Sequence, residues 1–475
     1  MNFYNTLTTA ASWWPTKLAI ADPWGDMTFG ELLLETNILK QQLLDSGVRG
    51  GNGVGIHVHN NRYFIITLYA VLACDATAMP IGYQQTADEI TEATQEANLH
   101  FIVSDNPPAI TGHTSVETFS YSQLALRKTA RSTGQPAVDF VPDAAVMRFT
   151  SGTTGTAKCV ILSHEAIWQR TLVANEGLNL TENDRVIWVL PMAYHFIVSI
   201  MLYIRHGVGI VVCNDFLAAA ILAGANAYNA TVLYAAPIHF QLLANNKNST
   251  RFSTLKAAVS TTTSINRSTC YTFYQRYGVP VTQAFGIIEL GLPIMNGRDS
   301  ETHPESVGRP LPSFRIAILD EFFMPLPPGK TGLLAIRGPG MFDGYLKPPT
   351  PASTLLRNGM FVTGDYAEQT DNGLIIIRGR ATSMINVAGN KVFPDEVESV
   401  LMQHPQVQQA RVFGQLHPLL GEVVSAELVT REGDDFDAEE IINHCRKHLS
   451  SFKVPQHVQR VSEIQMTGSG KIKRT

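Results

Sequence analysis

Cysteine is scarce in this chain, and its five copies (Cys74, Cys159, Cys213, Cys270 and Cys445) stand far apart. No CxxC pair or His/Cys cluster occurs, which excludes a zinc-ribbon or disulfide framework and fits a reducing compartment best. An excess of positive charge is also missing. Lys and Arg number 36 against 41 Asp and Glu, giving a net charge of −5 and a pI near 6.3. A nucleic-acid binder normally carries a basic stripe, so that class is disfavoured. The start, Met1-Asn2-Phe3, lacks the basic n-region and apolar core of a signal peptide. Long apolar runs are absent too: residues 63–82 are interrupted by Asp75 and Pro80, and 186–213 by Pro191, His195, Arg205 and His206. Neither offers the roughly 20 apolar residues of a membrane span. Both read as buried helix and strand, and a soluble, cytoplasmic protein with no membrane span is expected.

What is present is the patterning of a folded α/β protein. At 475 residues the chain exceeds one compact core and implies two or three domains. Short β-branched runs (Gly53 to Val58, Phe101 to Val103, Arg185 to Leu190, Ala230 to Tyr234) alternate with helical patterns such as Phe29 to Leu44. That alternation predicts parallel sheets covered on both faces. From Ser306 to Arg378 strands separated by Pro/Gly turns predict an antiparallel or barrel-like section. After Gly379 a smaller α+β unit begins, with a helix starting at Pro394-Asp395-Glu396 and a last one over Ala438 to Leu449. The expected layout is a large N-terminal domain, 1–381, and a small mobile C-terminal domain, 382–475.

The most informative segment runs from Phe149 to Lys158, with Thr150, Ser151, Gly152, Thr153, Thr154 and Gly155 between them. Glycines let backbone approach a polyphosphate, hydroxyls supply donors, and Lys158 adds a positive charge. Neither this loop nor Gly468-Ser469-Gly470-Lys471 satisfies the Walker A spacing. The string resembles the nucleotide loop of the adenylate-forming superfamily, which includes acyl- and aryl-CoA ligases, adenylation domains and beetle luciferases. Further signature segments follow in that family's order: Phe285-Gly286-Ile287-Ile288-Glu289, Gly332 to Tyr345, Thr363-Gly364-Asp365, Gly379-Arg380, Gly389 to Glu398, and Gly468 to Ile472. The resemblance therefore spans essentially the whole chain.

It implies ATP-dependent activation of a carboxylic acid as an acyl-AMP, followed by transfer to a phosphopantetheine thiol, either of CoA or of a separate acyl carrier protein. Both reactants of adenylation are anionic, so positioning and charge neutralisation are the protein's task. The resemblance makes Glu289 the Mg2+ ligand, a role for a hard oxygen. It gives Asp365 the ribose hydroxyls, Arg380 a nucleotide contact, and the phosphate loop with Phe285 the rest of ATP. Lys471 is the catalytic lysine, a mobile cation that reaches the reacting carboxylate and phosphate. Gly389 resembles the position past which a pantetheine arm runs after the C-terminal domain rotates; a plain turn glycine is the alternative.

Several positions depart from the pattern. Ile288 replaces a threonine, Ser260 to Ser264 replaces a Gly-Gly turn, and Cys159 follows Lys158 where glycine is common. Cys159 reads as a small buried residue rather than a reactive thiol. Thr382 falls where the family hinge has Asp or Lys, and Asn386 where luciferase-like members have lysine, which disfavours light emission. The acid pocket is expected after the turn at Pro191, with Tyr194, His195, Phe196 and Ser199 joined by Ser260, Gly286 and Ile288. Tyr194 or His195 is the candidate gate, and a hydrogen-bonded core histidine is the plainer alternative for His195. No aspartate follows the aromatic, so α-amino acids are disfavoured and a fatty or aromatic acid is expected. Passing the adenylate to a non-thiol nucleophile, or a degenerate nucleotide-binding role, are the competing readings.

Overall fold

A computed structural model describes the chain apart from residues 106–114, 120, 121, 132, 151–157, 418–420, 432–435, 467–471 and 473–475. The chain divides into two compact units. One takes in most of residues 1–315 with 337–359, the other residues 316–336 and 360–475.

The first unit holds two nine-stranded sheets. In one, Leu18–Asp22, Gly209–Val212, Arg185–Trp188, Val232–Ala235, Ala257–Ser260 and Val281–Ile287 lie side by side and parallel. Antiparallel strands close it at either end, Gly25–Thr28 at one and Gly291–Met295 with Arg309–Pro310 at the other. In the second, Phe101–Ser104, Gly53–His57, Thr77–Pro80 and Ala144–Phe149 are parallel, and Cys159–Ser163 turns back antiparallel on the last of them. The interior strands are buried on both faces, so they read as continuous apolar runs without alternation. A core containing Ile187, Leu233, Phe240 and Phe273 fills the space between sheet and helices. The predicted helix beginning at Phe29 runs over Phe29–Asp45, started by a capping box between Thr28 and Glu31.

The two interrupted apolar stretches fold as expected. Residues 63–82 give most of helix Arg62–Ala73 and then strand Thr77–Pro80. Among the described residues no helix is long and apolar enough to cross a membrane.

The second unit begins with an antiparallel sheet of Arg315–Leu319, Thr331–Arg337, Phe361–Gln369 and Ile375–Arg380. Beyond it, Ile385–Val387, Asn390–Val392, Gly421–Thr430, Val407–His417 and His457–Arg460 form a five-stranded sheet. Helices Pro394–Leu401 and Ala438–His448 cover it over Val392, Val397, Leu401, Val412, Leu428 and Ile441. The first of these helices has proline at its start and Asp395 and Glu396 in its first turn, where the macrodipole favours acids.

Candidate active site

The two ends of the segment expected to bind phosphate, Phe149-Thr150 and Lys158-Cys159, are joined to each other. Phe149 and Cys159 pair across antiparallel strands, the Thr150 amide donates to the Lys158 carbonyl at 2.8 Å, and the Lys158 amide donates to Thr150 Oγ1 at 3.2 Å. Ser151, Gly152, Thr153, Thr154 and Gly155 lie outside the described residues, as does Lys471. Cys159 is buried, and burial pushes its thiol up to about 12, so it packs as a small apolar residue.

Beside the loop, the short strand Gly344–Tyr345 adds antiparallel to Cys159–Ser163, pairing Tyr345 with Val160. The Lys158 ammonium then lies 4.7 Å from the Tyr345 ring centroid. The Tyr345 hydroxyl donates to Glu289 Oε1 at 2.9 Å. Lysine, tyrosine and glutamate, from three distant stretches of sequence, thus meet on one line of contacts.

Glu289 sits at the tip of the hairpin made by Val281–Ile287 and Gly291–Met295. Gly286 is required within it, because a Cβ there would come 2.5 Å from the Gly291 carbonyl oxygen. The tip is fastened by Arg170, which is 1% exposed on helix His164–Leu178. Its Nε donates to Gly340 O at 2.5 Å, Nη1 to Ile288 O at 2.5 Å, and Nη2 to Glu289 O at 2.8 Å. The Phe342 amide donates to the same Glu289 carbonyl at 2.8 Å. Burial lowers the Arg170 pKa to about 9, with Glu289 and Asp343 opposing that shift, so the guanidinium stays charged near neutrality. Hydrogen bonds from a charged donor contribute about 1.5–3 kcal/mol each, enough to hold the backbone of the tip still. The carboxylate itself is left half-buried with no ion pair among the described residues.

Among the described residues no group of three His, Cys, Asp or Glu side chains forms a cage for a metal. The half-buried Glu289 carboxylate offers hard oxygen donors to a divalent cation. That donor set suits magnesium, which keeps several waters and rarely uses an all-protein cage.

The turn expected to line the acid pocket is a 3-10 turn, Met192–Tyr194, followed by a π-helical turn, Phe196–Met201. Such π turns recur at functional sites. Asn60 ties its start, accepting from the Met192 amide at 2.8 Å and donating to Leu190 O at 3.0 Å. Tyr194 is partly buried, and desolvation raises its phenol pKa. His195 is half-buried, and its carbonyl accepts from Ser199 Oγ at 2.5 Å, so that hydroxyl is used locally. Phe196 is buried against Phe64, with ring centroids 6.3 Å apart. Ile288, Phe285 and Gly286 share the Glu289 hairpin.

Ser260 ends strand Ala257–Ser260, 2% exposed, and its Oγ has no hydrogen-bond partner among the described residues. Two positions on, Thr262 adopts φ +81°, a left-handed conformation that a β-branched residue resists. In the segment where the sequence pattern lacks glycine, the backbone at Thr262 is therefore strained. Trp188, Tyr203 and Tyr234 cluster nearby in the sheet and its cover, with Trp188 stacked on Tyr234 at 11°.

In the second unit, Asp365 and Arg380 are directly opposite on neighbouring strands. Arg380 Nε lies 2.9 Å from Asp365 Oδ1, with the carboxylate side chain 6% exposed and the guanidinium 43%. Thr363 braces the pair. Its Oγ1 accepts from the Asp365 amide at 3.1 Å and donates to Leu334 O at 3.0 Å, and its carbonyl accepts from Arg380 Nη1 at 3.3 Å. Gly389, at φ +86° after Ala388 at +48°, forms the two-residue turn between Ile385–Val387 and Asn390–Val392. A side chain at Gly389 would meet nothing within 4 Å.

Sequence reading assigned no role to Arg170, Arg148 or Tyr345, although Tyr345 ends the signature segment that starts at Gly332. Arg170 and Arg148 belong to no contiguous string around a glycine turn. A charged residue inside an otherwise apolar strand, Met147-Arg148-Phe149, was the one available signal.

Residues 7–346 match the AMP-binding enzyme family and residues 396–471 its C-terminal domain, so the chain belongs to the AMP-binding enzymes. It is 27% identical to a probable CoA ligase of Humulus lupulus over 91% of this chain and 87% of that protein. With the sulfoacetate–CoA ligase of Cupriavidus necator it shares 26% identity over 98% and 95%. Its fold is similar to that of o-succinylbenzoate CoA synthetase from Bacillus subtilis in complex with its acyl-adenylate intermediate, with a TM-score of 0.86 and 22% identity, covering 99% of this chain and 97% of that one.

Proposed function

We propose that this acid–thiol ligase activates a fatty or aromatic acid as acyl-AMP and passes the acyl group to the thiol of CoA, or of a carrier protein's phosphopantetheine. One oxygen of the acid's carboxylate attacks the α-phosphorus of ATP, and pyrophosphate leaves. The thiol sulfur then attacks the acyl carbon, and AMP leaves. The observation that carries the reading is the Glu289 hairpin: Arg170 fixes its backbone, Tyr345 orients its carboxylate, and no cation among the described residues pairs with it.

Glu289 would hold magnesium, which when bound neutralises phosphate charge. Asp365 would accept from the ribose hydroxyls while Arg380, 2.9 Å away, holds it in orientation. Lys158 and Thr150 flank the polyphosphate loop, and Lys471 supplies the mobile cation for the reacting oxygens. Tyr194, His195, Phe196, Ser199, Ser260, Gly286 and Ile288 serve the acid side. The functional boundary is assigned between residues 381 and 382, in the turn Ala381–Ser383, about which 382–475 would rotate to expose Gly389 to the pantetheine arm. Five free cysteines suit the reducing cytoplasm.

The test is acid-dependent pyrophosphate release from ATP and magnesium across fatty and aryl acids, for wild type, Lys471→Ala and Glu289→Gln. Release with one acid class, falling by roughly a hundredfold or more in either variant, is expected. Thioester formation is followed with CoA and with a phosphopantetheinylated carrier, against hydroxylamine as a non-thiol trap. Hydroxamate without thioester from either thiol would replace the acceptor assignment, and silence across the acids would overturn the activity.

A further inference from the structure

Two half-enclosed or buried arginines flank Glu289, and they differ in what they hold. Arg170 spends its donors on three carbonyls. Arg148 lies on strand Ala144–Phe149, two residues before Thr150, and has no such partners. Its Nε is buried without a hydrogen-bond acceptor, and no carboxylate lies within ion-pair distance of it among the described residues. Its guanidinium carbon sits 5.6 Å from the Tyr194 ring centroid, and Tyr194 and Glu289 are the charged or ionisable groups whose fields reach it. Burial lowers its pKa to about 10, which still leaves it a cation at neutral pH.

A half-enclosed guanidinium whose Nε is buried without an acceptor leaves that donor's desolvation uncompensated unless an anion completes it. Tyr194 supplies a ring face but no full charge, and the Glu289 carboxylate accepts from the Tyr345 hydroxyl and makes no ion pair with Arg148. The planar fork of arginine fits an oxyanion by two parallel hydrogen bonds.

We propose that Arg148 is a reactant-binding residue that receives an oxyanionic group beside Tyr194 and Glu289. Two sources carry that chemistry: a phosphate oxygen of ATP or pyrophosphate, and an acidic substituent on the acid being activated. The inference rests on the ligase reading for the identity of the reactants, but its binding test does not need turnover.

The experiment compares wild type with Arg148→Gln and with Arg148→Met, which fills similar volume without charge and stands in if the glutamine variant does not fold. KM values for ATP and for the acid, and ligand-induced thermal shifts with magnesium ATP, pyrophosphate, a monocarboxylate and a dicarboxylate, are measured for each folded protein. One reactant's KM is expected to rise roughly tenfold or more, with its thermal shift lost and the unliganded Tm within a few degrees of wild type. A rise confined to ATP and pyrophosphate assigns the phosphate source; one confined to the dicarboxylate assigns the acid. KM values and shifts unchanged in a folded variant would overturn the proposal and leave Arg148 as packing for Tyr194, while the ligase activity stands. If wild type releases no pyrophosphate with any acid, the function fails instead, and the thermal shifts with magnesium ATP and pyrophosphate still decide on Arg148.

Discussion

The Glu289 hairpin and the Asp365 hairpin both present one carboxylate, and they treat it in opposite ways. Asp365 is buried and paired at 2.9 Å with an arginine on the opposing strand. Glu289 is half-buried, and the nearest buried arginine bonds its backbone rather than its carboxylate. A carboxylate already matched to a cation is suited to accepting hydrogen bonds from neutral hydroxyls. One held still by its main chain and a single phenol keeps its charge for a cation that arrives with the substrate. The difference teaches that a shared residue type carries little information until its partners are known.

Substitution at Arg170 would break the comparison most severely. Arg170→Met leaves the part-buried Gly340 and Ile288 carbonyls without their donors, at about 1–3 kcal/mol for each. Urea denaturation is expected to show a loss of roughly 3 kcal/mol, with adenylation lost beyond what the unfolded fraction explains. Unchanged stability would mean that water satisfies those carbonyls and the clamp is dispensable.

Asp365→Asn sharpens the contrast. Arg380 is 43% exposed and can return to solvent, so stability should change by less than about 1 kcal/mol. The KM for ATP is expected to rise by roughly tenfold, since hydrogen bonds to a charged group are worth about 1.5–3 kcal/mol. A large fall in Tm with normal KM would show that this pair is structural, like the Arg170 clamp.

The smallest effect is expected at Thr262, which hydrogen-bonds to neither carboxylate among the described residues but carries the strained backbone after strand Ala257–Ser260. Thr262→Gly relieves a positive φ on a β-branched residue and is expected to stabilise the protein by about 1 kcal/mol in thermal or urea denaturation. If activity falls while stability rises, the strain at the end of strand Ala257–Ser260 is part of how the pocket is shaped.

Contiguous features were legible in the sequence because their chemistry is local. The closed ends of the loop between Thr150 and Lys158, the bracing of Asp365 by Thr363 and the glycine turn at Gly389 each depend on residues close in sequence. The strand from Arg185 and the helix from Phe29 were equally plain, since buried parallel strands and capped amphipathic helices write their periods into the chain. The partners of Glu289 were not legible. Arg170 lies 119 positions from it and Tyr345 lies 56, and nothing local marks either as a neighbour. The departure at Ser260 to Ser264 was visible only as a lost pattern; that Thr262 takes a left-handed conformation there needed the backbone.

The sequence by itself determined the α/β class, the absence of a basic or disulfide framework, and the ordered string of motifs that places the chain among the AMP-binding enzymes. Periodicity, net charge and short turn chemistry are properties of neighbouring residues, so they survive without a fold. Only the tertiary structure decided which arginine is satisfied and which keeps donors unfilled. Arg148 and Arg170 are both charged residues in apolar surroundings, and the number of carbonyls that reach each one is set by how distant strands and helices pack.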